Sequence, residues 1–124
     1  MKVKVIKRWI LNSEQELDTF IKHLKAKGFH IQGRGNTPVF LVAFHYTADG
    51  TRKFDFQFKM LDSWKGKCEV TFHVDIVLKR HHKVSQDPKD MNRALKFIKL
   101  PDEFIERERN KAELDIDEVL ERND

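Results

Sequence analysis

The sequence predicts an α+β fold: an antiparallel meander sheet of order β-α-β-β-β-β-α-α, with helices packed on its Phe-rich face. Three observations lead there. A capped, amphipathic helix follows a short alternating segment near the start. Residues 39–78 then alternate phenylalanine with charge over three consecutive strands. After them, Asp87-Pro88 opens a second apolar-striped helix.

Residues 2–11 alternate, with Val3, Val5, Trp9 and Leu11 on one side, and read as the first strand. Ser13 and Glu16 form a capping box that starts a helix, because the hydroxyl and the carboxylate satisfy free N–H groups of the first turn. Leu17, Phe20, Ile21 and Leu24 fall at helical spacing, and Gly28 stops the helix. Residues 29–32 return to alternation as a second strand, which Gly33, Gly35, Asn36 and Pro38 end.

The centre reads as strands 39–46, 52–60 and 68–78. Ala48-Asp49-Gly50 suits a three-residue hairpin loop with Gly50 left-handed, a register that sets Phe44 against Phe54, Val42 against Phe56 and Phe40 against Phe58. The next hairpin, turning about Trp64, sets Phe58 against Val70, Phe56 against Phe72 and Phe54 against Val74. Its other face then couples Lys59 with Glu69, Asp55 with His73 and Lys53 with Asp75, so one register matches apolar and charged residues at once. Met91, Ala94, Leu95 and Ile98 give the second helix its stripe. Pro101 ends it and opens a third, which Phe104 and Ile105 anchor. Residues 1–100 therefore form a single α+β domain, and residues 101–124 an acidic C-terminal helix or tail.

Charge is divided along the chain. Residues 1–99 hold 20 Lys/Arg and 10 Asp/Glu, whereas residues 100–124 hold 4 and 10. A basic body points to DNA or RNA, or another polyanion, with the acidic end as an internal competitor. The longest apolar run, 39–44, is too short to span a bilayer, and the first residues lack the apolar core of a signal peptide. A cytoplasmic protein with no membrane association is expected. The single Cys68 agrees: it has no partner for an internal disulfide and sits on the core face.

Three places can carry chemistry. His45, Asp55 and His73 are expected together on the polar sheet face, where an imidazole beside a carboxylate serves acid–base work; the plainer reading is a charge-matched cross-strand pair. Trp64, Lys65 and Lys67 form an aromatic-and-lysine hairpin tip, joined at the same end of the sheet by Arg34. Lys79, Arg80 and Lys83 form a basic stretch at the other end, roughly 35 Å away at strand spacing, with Lys53 and Lys59 on the face between. Gly33-x-Gly35 lacks the third glycine and the helix of a dinucleotide fingerprint, and no nucleophile elbow or phosphate loop is present. No cofactor and no metal are expected.

These residues favour a small non-enzymatic accessory or regulatory protein that binds nucleic acid or another polyanion. One alternative is a protein-interaction or assembly module that meets a partner, or a second copy, through residues 101–124. The other is a small hydrolase or nuclease using His45, Asp55 and His73.

Overall fold

The computed structural model describes residues 5–61, 67–107 and 109–110. The fold is α+β, with an antiparallel sheet and helices on one of its faces. In chain order the elements are β1 (Lys7–Leu11), α1 (Glu14–Ala26), β2 (His30–Gly33), β3 (Val39–Tyr46), β4 (Arg52–Met60), β5 (Cys68–Val77), β6 (His82–Val84), α2 (Pro88–Ile98), α3 (Asp102–Ile105) and β7 (Arg109–Asn110). The strands lie in the order β2-β3-β4-β5-β1-β7, and β6 pairs with β5 beyond the end of β1.

The Ser13 half of the expected capping box forms, while the Glu16 carboxylate reaches one residue further back than the N-cap. Ser13 Oγ accepts from the Glu16 N–H at 3.1 Å, and Glu16 Oε2 accepts from the Asn12 N–H at 2.9 Å. At the other end of α1, Phe29 N–H reaches the Leu24 carbonyl and Gly28 N–H the Lys25 carbonyl, the two bonds of a Schellman motif. Gly28 occupies the left-handed position at φ +91°, which a side chain would strain, and its Cα faces the His45 ring, 3.4 Å from where a Cβ would stand. Asp87 caps α2 by accepting from the Lys89 N–H at 3.0 Å.

The β4–β5 register is the expected one throughout, from Lys53↔Asp75 to Lys59↔Glu69. The β3–β4 register differs by one residue from that read in the sequence. Phe44 lies opposite Asp55, His45 opposite Phe54 and Ala43 opposite Phe56. The cause is the loop. Four residues, 48–51, turn the chain, and the Gly50 N–H reaches the Thr47 carbonyl at 2.9 Å. Asp49 Oδ1 accepts from the Thr47 hydroxyl, the Thr51 hydroxyl and the Thr51 N–H at 2.7, 2.8 and 2.9 Å. Those bonds, with Gly50 at φ +73°, fix the longer turn. A slip of one residue exchanges the faces of a strand, so Phe44 and Tyr46 leave the core side and His45 joins it. An irregularity between Val39 and Leu41 restores Phe40, which packs against the core together with Leu41.

The core lies between the sheet and α1, α2 and α3. Trp9, Phe20, Phe56, Phe58, Phe72 and Phe104 are fully buried there. Phe20 meets the rings of Trp9, Phe56, Phe58 and Phe104 edge-on, the arrangement that the ring quadrupoles favour. The Trp9 indole N–H donates to the Phe104 carbonyl at 2.9 Å. Residues 101–107 are therefore tied to the body of the fold. Arg107 extends that tie, donating to the Ile10 carbonyl and pairing with Glu16 at 2.8 Å. The first strand is shorter than expected, since residues 5 and 6 lie outside β1 and residues 1–4 fall outside those described. Strands β6 and β7 are additions that sequence periodicity did not signal, because three and two residues are too few for it.

Candidate functional site

The sheet has one face with no helix upon it among the described residues. Its makeup follows from strand alternation. Because Phe54, Phe56 and Phe58 point into the core, Lys53, Asp55, Gln57 and Lys59 point out. Likewise Val70, Phe72 and Val74 place Thr71, His73 and Asp75 outward. On β3 the outward residues are Val42, Phe44 and Tyr46.

An aromatic strip crosses this face. His30 lies 5.0 Å from Phe44, Phe44 lies 6.0 Å from Tyr46 and Tyr46 lies 6.4 Å from His82, measured between ring centroids. The Lys53 ammonium sits 4.7 Å from the centre of Phe44 and 5.8 Å from that of Tyr46. Tyr46 is exposed and Phe44 half-buried. The sequence register set Phe44 against Phe54 on the core side, and Tyr46 follows Phe44 by alternation, so neither was read as a surface group. The signal available was Thr47-x-Asp49-x-Thr51, whose side chains lock the longer loop.

Beside the strip lies a compact charged group. His73 Nε2 is 3.1 Å from Asp75 Oδ1 and 3.7 Å from Asp55 Oδ2, and Lys53 Nζ is 4.0 Å from the same Asp55 oxygen. Burial pushes the Asp55 carboxyl above its ordinary value, and the repulsion of Asp75 adds to that, against the pull of His73, Lys53 and Arg34. Burial acts on Asp75 in the same direction, but its hydrogen bond with His73 and the charges of His73, Lys53 and His82 outweigh it and hold that carboxyl low. The ligand atoms of Asp55, His73 and Asp75 all lie within 4.8 Å of one another.

His45 does not belong to this group. It lies on the core side of the sheet, 5.4 Å from Phe29, 5.0 Å from Phe97 and 6.3 Å from Phe54 between ring centroids. Its Nδ1 is buried with no hydrogen-bond partner among the described residues. The one-residue register difference is the whole reason. The expected His45-Asp55-His73 set is replaced by Asp55, His73 and Asp75.

The basic residues divide between the ends of the sheet. Arg34 is exposed at the end of β2, close enough for its charge to act on Asp55. It lines a shallow depression of about 270 Å³ with Thr37, Val39, Val42 and Gln57. Lys59 and exposed Lys67 lie at the same end, while Trp64 and Lys65 fall outside the described residues. At the opposite end, Lys79 and Arg80 occupy the turn between β5 and β6, closed by the Leu78 N–H bonding the His81 carbonyl at 3.0 Å. Lys83 follows within β6, paired with Ile76. Arg8 adds a cation on the open face but is paired with Glu69 at 3.5 Å.

Cys68 is fully buried against the core, and burial pushes its thiol up to about 11, so it is a poor nucleophile. His23 joins two helices: its Nε2 lies 2.7 Å from the Ile98 carbonyl at the end of α2. No helix among the described residues is long and apolar enough to cross a membrane. No protein-family model matches the chain. A search of the curated proteins likewise finds no match.

Proposed function

We propose that this protein binds single-stranded nucleic acid across the helix-free face of its sheet, as an accessory or regulatory factor without catalytic activity. The observation that carries the reading is the strip of Phe44 and Tyr46 with the Lys53 ammonium held over both rings. Bases of any sequence stack on such rings, each contributing about 1–3 kcal/mol, while a nearby cation meets the phosphate. A base that stacks on Phe44 takes the place of the ammonium, which a four-carbon stem lets swing to the backbone. Arg34, Lys59 and Lys67 at one end and Lys79 and Arg80 at the other extend the path for a polyanion along the sheet, whereas Lys83, opposite Ile76, falls on the helix-bearing side by strand alternation. The acidic C-terminal residues, with 10 Asp/Glu against 4 Lys/Arg over 100–124, are the internal competitor. A cytoplasmic setting, where Cys68 stays reduced, belongs to the same proposal.

The test is fluorescence anisotropy with a labelled oligothymidine of about 12 nucleotides at low salt. The double variant Phe44→Ala/Tyr46→Ala should weaken binding by about 10- to 100-fold, the loss of one or two stacked bases. Ile105→Ala, an exposed apolar residue of α3, should leave it unchanged. Equal affinities for the double variant and the unaltered protein would overturn the reading.

A further inference from the structure

We propose that Asp55, His73 and Asp75 form a binding site for a divalent first-row transition ion, with Zn²⁺ the best fit. The site lies beside the aromatic strip on the same face and shares Lys53 with it. It uses two carboxylates and one imidazole, a donor set suited to Zn²⁺ and poorly suited to Mg²⁺ or Ca²⁺, which take oxygen donors.

Geometry carries the proposal. Two donors on a tetrahedral ion at about 2.1 Å lie about 3.4 Å from one another. The two separations from His73 Nε2, 3.1 Å to Asp75 and 3.7 Å to Asp55, bracket that value. All three donors lie within 4.8 Å of one another, a spread that rotation of short side chains can close around one ion. The backbone holds the set in place. Asp55 and His73 are directly paired across β4 and β5, and Asp75 is two residues on along the same face. These are neighbouring central strands, so the three Cβ positions are fixed by the hydrogen-bond ladder.

The group is also incomplete as it stands. One Nε2 proton serves one carboxylate well, and the closer is Asp75. Among the described residues Asp55, half-buried, has ion-pair contacts at 3.7 and 4.0 Å, both longer than a hydrogen bond. A dication sitting between the carboxylates satisfies both, with neutral His73 as the nitrogen ligand and water at the remaining position. Lys53 is the competing cation. Its ammonium already rests over Phe44 and Tyr46, so it has a place to stay when the ion takes Asp55.

The experiment uses the full chain, freed of metal with a chelator and titrated with ZnCl₂, while the histidine ring nitrogens are followed by NMR. The expected result is a shift of His73 Nε2 that saturates at one equivalent. Asp55→Asn and Asp75→Asn, which keep side-chain shape, should each weaken Zn²⁺ binding by at least tenfold. His81→Ala/His82→Ala should not abolish the His73 shift. MnCl₂ on the unaltered chain provides a reading that needs no variant: paramagnetic broadening should centre on residues 55, 73 and 75. Broadening centred on other histidines, an unmoved His73 Nε2, or unaltered affinity in folded Asp55→Asn and Asp75→Asn would each overturn the proposal.

Discussion

Replacing Phe44 by alanine distinguishes the observed sheet register from the one that turn propensity suggests. Phe44 is half-buried on the open face, opposite Asp55, with Lys53 over its ring. Full burial of a Phe is worth about 1.5–3 kcal/mol, so truncating a half-buried one forfeits about 1 kcal/mol. The contact with Lys53 adds about 0.5–1 kcal/mol, for a total near 1.5–2 kcal/mol. Phe56 supplies the comparison. It is fully buried and meets the rings of Trp9, Phe20, Phe29 and Phe72 at 5.9, 5.5, 5.5 and 4.4 Å. Phe56→Ala should cost about 3–5 kcal/mol through lost burial and a residual cavity. Small domains hold about 5–15 kcal/mol in total, so that variant approaches the limit of folding. In urea, with a slope of about 2 kcal/mol/M, the midpoint should fall by about 2 M for Phe56→Ala and by under about 1 M for Phe44→Ala. If Phe44→Ala costs as much as Phe56→Ala, Phe44 lies in the core and the face assignment is wrong.

Three further outcomes follow from specific contacts. The Thr47 hydroxyl and the N–H and hydroxyl of Thr51 hold the Asp49 carboxyl down at about 2, so its contribution to stability is present above pH 3.8 and lost as pH falls toward 2; Asp49→Asn should remove that acid limb from a pH titration of the melting temperature. The hydrogen bond from Arg107 lowers the Glu16 carboxyl, so the link between α1 and residues 101–107 is intact above pH 4.5 and loosens below it; Arg107→Met should abolish that dependence in amide exchange of residues 102–105. Deleting residues 111–124 removes six acids and two bases, taking net charge from +4 to +8 while sparing Phe104, and should tighten oligonucleotide binding with a steeper salt slope.

The elements with long, strong signals were legible in the sequence. Strands 39–46 and 52–60 have the expected bounds, and the β4–β5 register follows from two faces that match at once. The helix beginning after Ser13 carries its start signal in the Ser13 hydroxyl and its stop signal in the left-handed Gly28, and both act as read. The β3–β4 register was not legible from hydrophobic matching, because β3 is apolar at every position from Val39 to Phe44. Either face of such a strand can be turned inward, and the decision passes to the loop. There, three hydrogen bonds to one Asp49 oxygen outweigh the preference for a shorter turn. The candidate site inherited that ambiguity. Asp55 and His73 were found because their strands alternate cleanly, His45 was misplaced because its strand does not, and Asp75 was read only as a partner of Lys53.

The central claim is that the helix-free sheet face, and not the helices, receives nucleic acid. Amide and side-chain NMR of the full chain, titrated with a short oligothymidine at low salt, tests it directly. The account predicts shifts at Phe44, Tyr46 and Lys53 and toward Arg34, with α1 and α2 unmoved. Shifts confined to the exposed sides of α1 and α2, or none at all at low salt, would contradict it.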